Sequence, residues 1–138
     1  MSDLMSDKTA VSTTDAPPPL PVFSQGVRKG NILQVSGQGS VDPASGEFVF
    51  TGDVKAQTTR VLQNIEAILK AGGGSLDDVV MLRVYLTKRE DFAAMNEAYA
   101  DFVTTRTPSG VLPSRTTVFT GLPLPEMLVE IDALAVLS

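Results

Sequence analysis

Cysteine and histidine are both missing from the 138 residues of this chain. Without cysteine there are no disulfides, no thiolate nucleophile and no sulfur-based metal site. Without histidine there is no Ser-His-Asp triad, no imidazole metal ligand and no imidazole base. Acid–base chemistry is left to carboxylates, Lys, Tyr, hydroxyls, backbone groups or water. No run approaches the roughly 18 consecutive apolar residues of a membrane span. The opening MSDLMSDKTA is acidic and has no apolar stretch of the kind a signal peptide carries, so a cytoplasmic protein with no membrane partner is the expectation.

What is present fits one globular domain: 43% of the residues are hydrophobic, 20% are charged, and the net charge is −5. The eleven Lys and Arg are scattered, and an acidic surface repels phosphate backbones, so nucleic acid is not an expected partner.

Residues 1–19 are rich in Ser, Thr, Asp and Ala and end in three prolines. They read as a disordered or extended lead-in, with the domain occupying 20–138 and ordered structure starting near Leu20. Two short strands are expected between Phe23 and Ser36, turning at Lys29-Gly30-Asn31, and another at Glu47–Phe50. The intervening 37–46 segment is loop. Apolar residues at 54, 61, 62, 65, 68 and 69 mark a helix over 53–71, stopped by Gly72-Gly73-Gly74. Residues 79–86 (VVMLRVYL) read as a buried strand. A second helix is expected over 90–103, with Phe92, Met95, Tyr99, Phe102 and Val103 as its core stripe and Thr87 and Glu90 at capping-box spacing. Strands at 115–120 and 127–137 complete an α+β domain, a single mixed sheet with two helices on one face.

Period-2 alternation assigns Leu33, Val35, Val80, Leu82, Val84, Val118, Val129, Ile131 and Ala133 to the helix-covered face. The other face would take Ile32, Gln34, Ser36, Met81, Arg83, Tyr85, Arg115, Thr117, Phe119, Leu128, Glu130, Asp132, Leu134 and Val136. Two helices leave that second face bare. A large apolar surface of this kind marks an association surface, so a homo-oligomer enclosing Arg115 and Glu130 is expected.

Glu130 and Asp132 interrupt the otherwise apolar MLVEIDALAVL. A buried carboxylate requires a cation or several donors, and Arg83 and Arg115 are the candidates. Two readings stand side by side: an ion-pair network that fixes register, or a site in which Arg115 receives a substrate carboxylate. Gly72-Gly73-Gly74-Ser75 lacks the Lys and the strand–loop–helix order of a phosphate loop. Ser36-Gly37-Gln38-Gly39-Ser40 opens a loop instead of a helix, and Asp77-Asp78 suits a turn cap better than a metal.

Several segments resemble the Rid family, also called the YjgF or endoribonuclease L-PSP-like family. They are Gln25-Gly26 with Gly30-Asn31, Val35 to Gln38, Asp42-Pro43, Gly46-Glu47, and Asp91-Phe92 with Asn96, Tyr99 and Phe102. The most specific are Pro113-Ser114-Arg115-Thr116-Thr117-Val118, Leu122-Pro123 and Val129 to Val136. The resemblance spans about residues 20–137. It implies a chorismate-mutase-like fold and a homotrimer with clefts between subunits. The implied activity is cofactor- and metal-free hydrolysis of 2-imino acids and their enamine tautomers, such as 2-aminoacrylate, to 2-keto acids and ammonia. By the same analogy Arg115 clamps the substrate carboxylate. Glu130 orients or activates water, helped by the Thr117 carbonyl, while Phe23, Ser36, Gly37 and Asn96 shape the pocket. Phe23 stands where the best-known deaminases have tyrosine, and Thr117 where many members have cysteine. Other readings are a trimeric binder of small carboxylates, or a chaperone-like protein, without turnover. An endoribonuclease is a further one, opposed by the acidic charge and the missing histidine.

Overall fold

The computed structural model describes residues 7–138. Six strands form one sheet: β1 (Lys8–Val11), β2 (Gly26–Lys29), β3 (Ile32–Gln38), β4 (Val79–Leu86), β5 (Ser114–Phe119) and β6 (Val129–Val136). Their order is β1-β2-β3-β6-β4-β5. Neighbours run antiparallel except β4 and β5, which are parallel. A parallel pair cannot be closed by a hairpin, and the link here is helix α2 (Phe92–Thr105). It packs against helix α1 (Val54–Ala71), which lies on β3 and β6. The expected α+β class with both helices on one face is what the chain adopts. No helix among the described residues is long and apolar enough to cross a membrane.

Helix α1 begins where the Asp53 carboxylate accepts the Ala56 N–H at 3.0 Å. Its six predicted apolar positions are all buried. It ends at the glycine run, where Gly73 takes φ +91° and Gly74 N–H donates to Leu69 O at 2.8 Å, closing the last turn. The wholly buried core layer of the sheet is Leu33, Val35, Leu82, Val84, Leu86, Val129, Ile131, Ala133 and Ala135. Truncating any of its leucines or Ile131 to alanine would cost about 2–5 kcal/mol.

Four expectations need correction. Residues 1–6 of the supposed lead-in lie outside the described residues, but ordered structure starts well before Leu20. Lys8–Val11 pairs with β2, and Val11 and Ala16 are buried. Glu47–Phe50 makes only a single bridge, Val41 to Phe48, and no strand. The second helix starts at Phe92 after a 3-10 turn over Arg89–Asp91 that carries no side-chain cap, so the Thr87–Glu90 box is not used. Lastly, the faces of β4 and β5 differ from simple alternation. A register shift between Val79 and Met81 turns Val79 inward and leaves Val80 exposed. On β5, Arg115, Thr117 and Phe119 pair with Leu82, Val84 and Leu86, whereas Val118 pairs with Tyr85. Arg115, Thr117 and Phe119 therefore stand on the helix side, and Val118 on the bare side.

That bare side carries Ile32, Val118 and Val136, each 40–50% exposed, together with Arg83, Tyr85, Glu130 and Asp132.

Candidate functional site

Arg115 leaves the edge strand β5 toward α2. Phe92, Asn96 and Tyr99 fall at i, i+4 and i+7 along that helix and so form one stripe beneath it. The Arg115 Nη1–H donates to Asn96 Oδ1 at 2.7 Å. Its guanidinium carbon lies 4.6 Å from the Tyr99 ring centre and 5.6 Å from that of Phe92. No carboxylate pairs with it among the described residues, where the ion pairs are Lys55–Glu97, Arg83–Asp132 and Arg106–Glu66. A shallow cavity beside it is lined by Asn96, Tyr99, Leu112 and Pro113. Thr117 follows two residues later on the same face.

Glu130 leaves the central strand β6 toward the bare side, opposite Tyr85. Asp132, next on that face, is the carboxylate that pairs with an arginine. It accepts from Arg83 Nε at 2.7 Å and from the Tyr85 hydroxyl at 3.0 Å. The register-fixing network is thus realised by Asp132 and Arg83, not by Glu130 and Arg115. Glu130 is half-buried and accepts no hydrogen bond among the described residues. Burial, and secondarily the charge of Asp132, raise its pKa above the ordinary carboxylate range. It lies across Gly37, where a Cβ would come 2.9 Å from Glu130 Cδ and collide with its carboxylate oxygen. A side chain at position 37 fits only if the Glu130 carboxylate moves aside.

Gly37 sits in a break of the β3–β6 ladder between Val35 and Gln38. Beside it, the Ser36 hydroxyl donates to Ser24 O at 2.6 Å and Ser36 N–H donates to Gln25 O at 2.9 Å. These bonds hold the loop that presents the half-exposed Phe23. Phe23 lines a largely apolar cavity with Pro17, Pro18, Pro19, Leu20, Gly37 and Gly39. The predicted residues thus form two groups: Asn96, Arg115 and Thr117 on the helix side, and Phe23, Ser36, Gly37 and Glu130 around the other face of β3 and β6. One copy of the chain does not bring Arg115 and Glu130 together.

Sequence reasoning passed over the residues that hold these groups. Tyr99 counts as core by periodicity, yet its ring faces Arg115. The buried Gln57 carboxamide accepts from Leu128 N–H at 2.9 Å and donates to Phe50 O and Glu126 O, both at 3.1 Å, fixing the approach to Glu130. Asn64 similarly donates to Gly39 O and Val41 O. Gln25 accepts from Thr13 N–H and donates to Thr13 O, Ala16 O and Pro17 O, which seats the N-terminal segment. The available signal was an amide on the apolar stripe of a helix, at positions 57 and 64. Asp78 caps its own turn, accepting from Ser75 N–H at 2.9 Å, as its spacing suggested.

The family model for Endoribonuclease L-PSP matches residues 13–137. A RutC family protein of Pyrococcus horikoshii is 43% identical over 128 residues, covering 93% of this chain and 97% of its own. Among solved structures, E. coli TdcF with bound serine superposes with a TM-score of 0.86 at 33% identity, covering 94% of this chain and 99% of that one. RidA from the Antarctic bacterium Psychrobacter gives a TM-score of 0.82 at 35% identity over 94% and 99% of the two chains. By sequence and by fold alike, the chain belongs to the endoribonuclease L-PSP family, the YjgF/RidA family.

Proposed function

We propose that this chain is a hydrolytic deaminase of 2-imino acids and their enamine tautomers. In this reading it works as a homotrimer whose sites each take Arg115 from one copy and Glu130 from a neighbour. The observation that carries this is the pair of unfulfilled charges. Among the described residues, Arg115 has a neutral seat and no carboxylate, and Glu130 has neither a cation nor a donor. The exposed Val118 beside Tyr85, with Ile32 and Val136 farther along the same face, supplies apolar surface for a second copy to cover. The similar TdcF structure holds serine, which carries the same α-carboxylate group that an imino acid would present.

The chemistry requires little of the protein. Arg115 receives the substrate carboxylate through its free N–H fork. The protonated imine carbon is electrophilic. Water, held by Glu130, adds to it and gives up one proton to the carboxylate. The C–N bond of the resulting carbinolamine then breaks, releasing ammonia as the carbonyl forms. A carboxylate whose pKa is raised is a better proton acceptor than an ordinary one, and it can return the proton to the leaving nitrogen. The Thr117 carbonyl can share the water. Phe23 offers the substrate side chain an apolar ring without a hydroxyl, which favours apolar imines.

A coupled assay tests this. A pyridoxal-phosphate serine or threonine dehydratase generates the enamine, and keto acid release is followed with and without the protein. Acceleration that disappears with Arg115→Ala supports the deaminase and its clamp. No acceleration across several parent amino acids overturns it. Carboxylate binding without turnover would then identify a binding protein, and salt-sensitive cleavage of RNA would identify a nuclease.

A further inference from the structure

The seat of Arg115 has a property that pairing with an acid would lack. A guanidinium has five N–H donors, and Asn96 takes one of them. The Tyr99 ring, 4.6 Å from the guanidinium carbon, holds the cation by the negative face of its π system and takes none. A carboxylate in that place would occupy two donors and cancel the charge. Arg106 shows the contrast within the same molecule. It also lies over a ring, Phe102 at 3.8 Å, but its charge is paired with Glu66 at 3.2 Å.

We infer that Tyr99 is a positioning residue for the carboxylate clamp. Its aromatic ring, not its hydroxyl, holds the Arg115 guanidinium in place while leaving its charge and its N–H fork free for an anion. The inference rests on the proposed role of Arg115. The role belongs to the ring because the Tyr99 hydroxyl makes no hydrogen bond among the described residues, whereas Asn96 secures Nη1 at 2.7 Å. Phe92, at 5.6 Å, is a second and more distant ring on the same stripe.

The test uses the full-length protein and 2-oxobutanoate as the carboxylate probe, with binding measured by calorimetry and the Arg115 Nε–H resonance followed by NMR. Tyr99→Phe should bind the probe within about twofold of the parent, and Tyr99→Leu should weaken binding roughly tenfold. KM should rise by a similar factor while kcat changes less. On an Arg115→Met background, Tyr99→Leu should add no further loss. The Arg115 Nε–H signal, shifted upfield by the ring above it, should keep that shift in Tyr99→Phe and lose it in Tyr99→Leu. Should Tyr99→Leu fail to fold, Tyr99→Met fills the space without a π face and serves in its stead. Equal binding by a folded Leu or Met variant would overturn the inference, and so would a Phe variant as weak as Leu, which points to the hydroxyl. If the parent itself does not bind 2-oxobutanoate, the clamp reading fails. The resonance then still decides the seat: a shift retained in Tyr99→Leu overturns it, and a lost shift supports it.

Discussion

Arg115 stands beside Leu82 in the β4–β5 register and Glu130 stands opposite Tyr85 in the β4–β6 register, so the two side chains leave one sheet from opposite faces. Arg115 ends among the neutral groups of α2, and Glu130 ends against the bare backbone of Gly37. Each charge is organised, and neither answers the other within a single copy.

The contact between Gly37 and Glu130 predicts a specific failure. Gly37→Ala should leave the thermal melt near that of the parent, because the strand is already irregular there. It should lower turnover by roughly a hundredfold, since the new methyl group displaces the carboxylate by about an ångström. Kinetics beside a melting curve check this, and turnover within threefold of the parent would contradict it.

Glu130 sets a pH dependence. Its pKa is raised, so in a mechanism where it acts as base, turnover falls as pH drops through that raised value, above the ordinary carboxylate range. Within one copy the groups near it are Asp132, Arg83 and Tyr85. Asp132→Asn removes a neighbouring anion and leaves the Arg83 cation unpaired; both effects stabilise ionised Glu130. The acid limb of the kcat/KM profile should therefore move to lower pH in Asp132→Asn and should not move to higher pH.

The same shift has a stability sign. For an acid whose folded pKa is raised, the stabilising contribution is present below its unfolded pKa and is lost as pH rises through the folded value. Glu130→Gln should therefore flatten the pH dependence of the melting temperature across that window and raise stability near neutrality. Melts from acid to neutral pH measure it, and a lower melting temperature for Glu130→Gln at neutral pH would refute it.

Gln57 makes three hydrogen bonds from a fully buried position. Gln57→Leu keeps a similar volume and strands the Phe50 and Glu126 carbonyls and the Leu128 N–H. Denaturant melts should show a loss of about 2–4 kcal/mol, and a loss well below that would mean water replaces the amide.

Much of this was legible in the sequence where the signal was strong and local. Six apolar positions at helical spacing fixed α1, and Gly72-Gly73-Gly74 marked its end. The alternation of Val129, Ile131 and Ala133 with Glu130 and Asp132 gave β6 its two faces correctly. The phase of β5 was not legible. Ser-Arg-Thr-Thr-Val-Phe has no clear apolar alternation, and its orientation comes from parallel pairing with β4 and from the Phe92–Asn96–Tyr99 stripe. Val80 was misplaced because a register shift leaves no trace in the periodicity of VVMLRVYL. Strand β1 was missed because Lys8–Val11 sits in a polar segment, and its order comes from the ladder to β2 and from Gln25, fifteen or so residues away. The paired identity of Arg83 with Asp132, rather than Arg115 with Glu130, followed from that same phase.

Subunit mixing tests most directly whether Arg115 and Glu130 of different copies complete one site. Arg115→Ala and Glu130→Gln chains are each inactive by expectation; they are unfolded together, refolded as a mixture and assayed for keto acid release. Random assembly leaves about one site in four with a native arginine from one copy and a native glutamate from its neighbour. Recovery of roughly a quarter of the parent activity from two inactive proteins is the expected result. A mixture that stays inactive while forming mixed oligomers would contradict it.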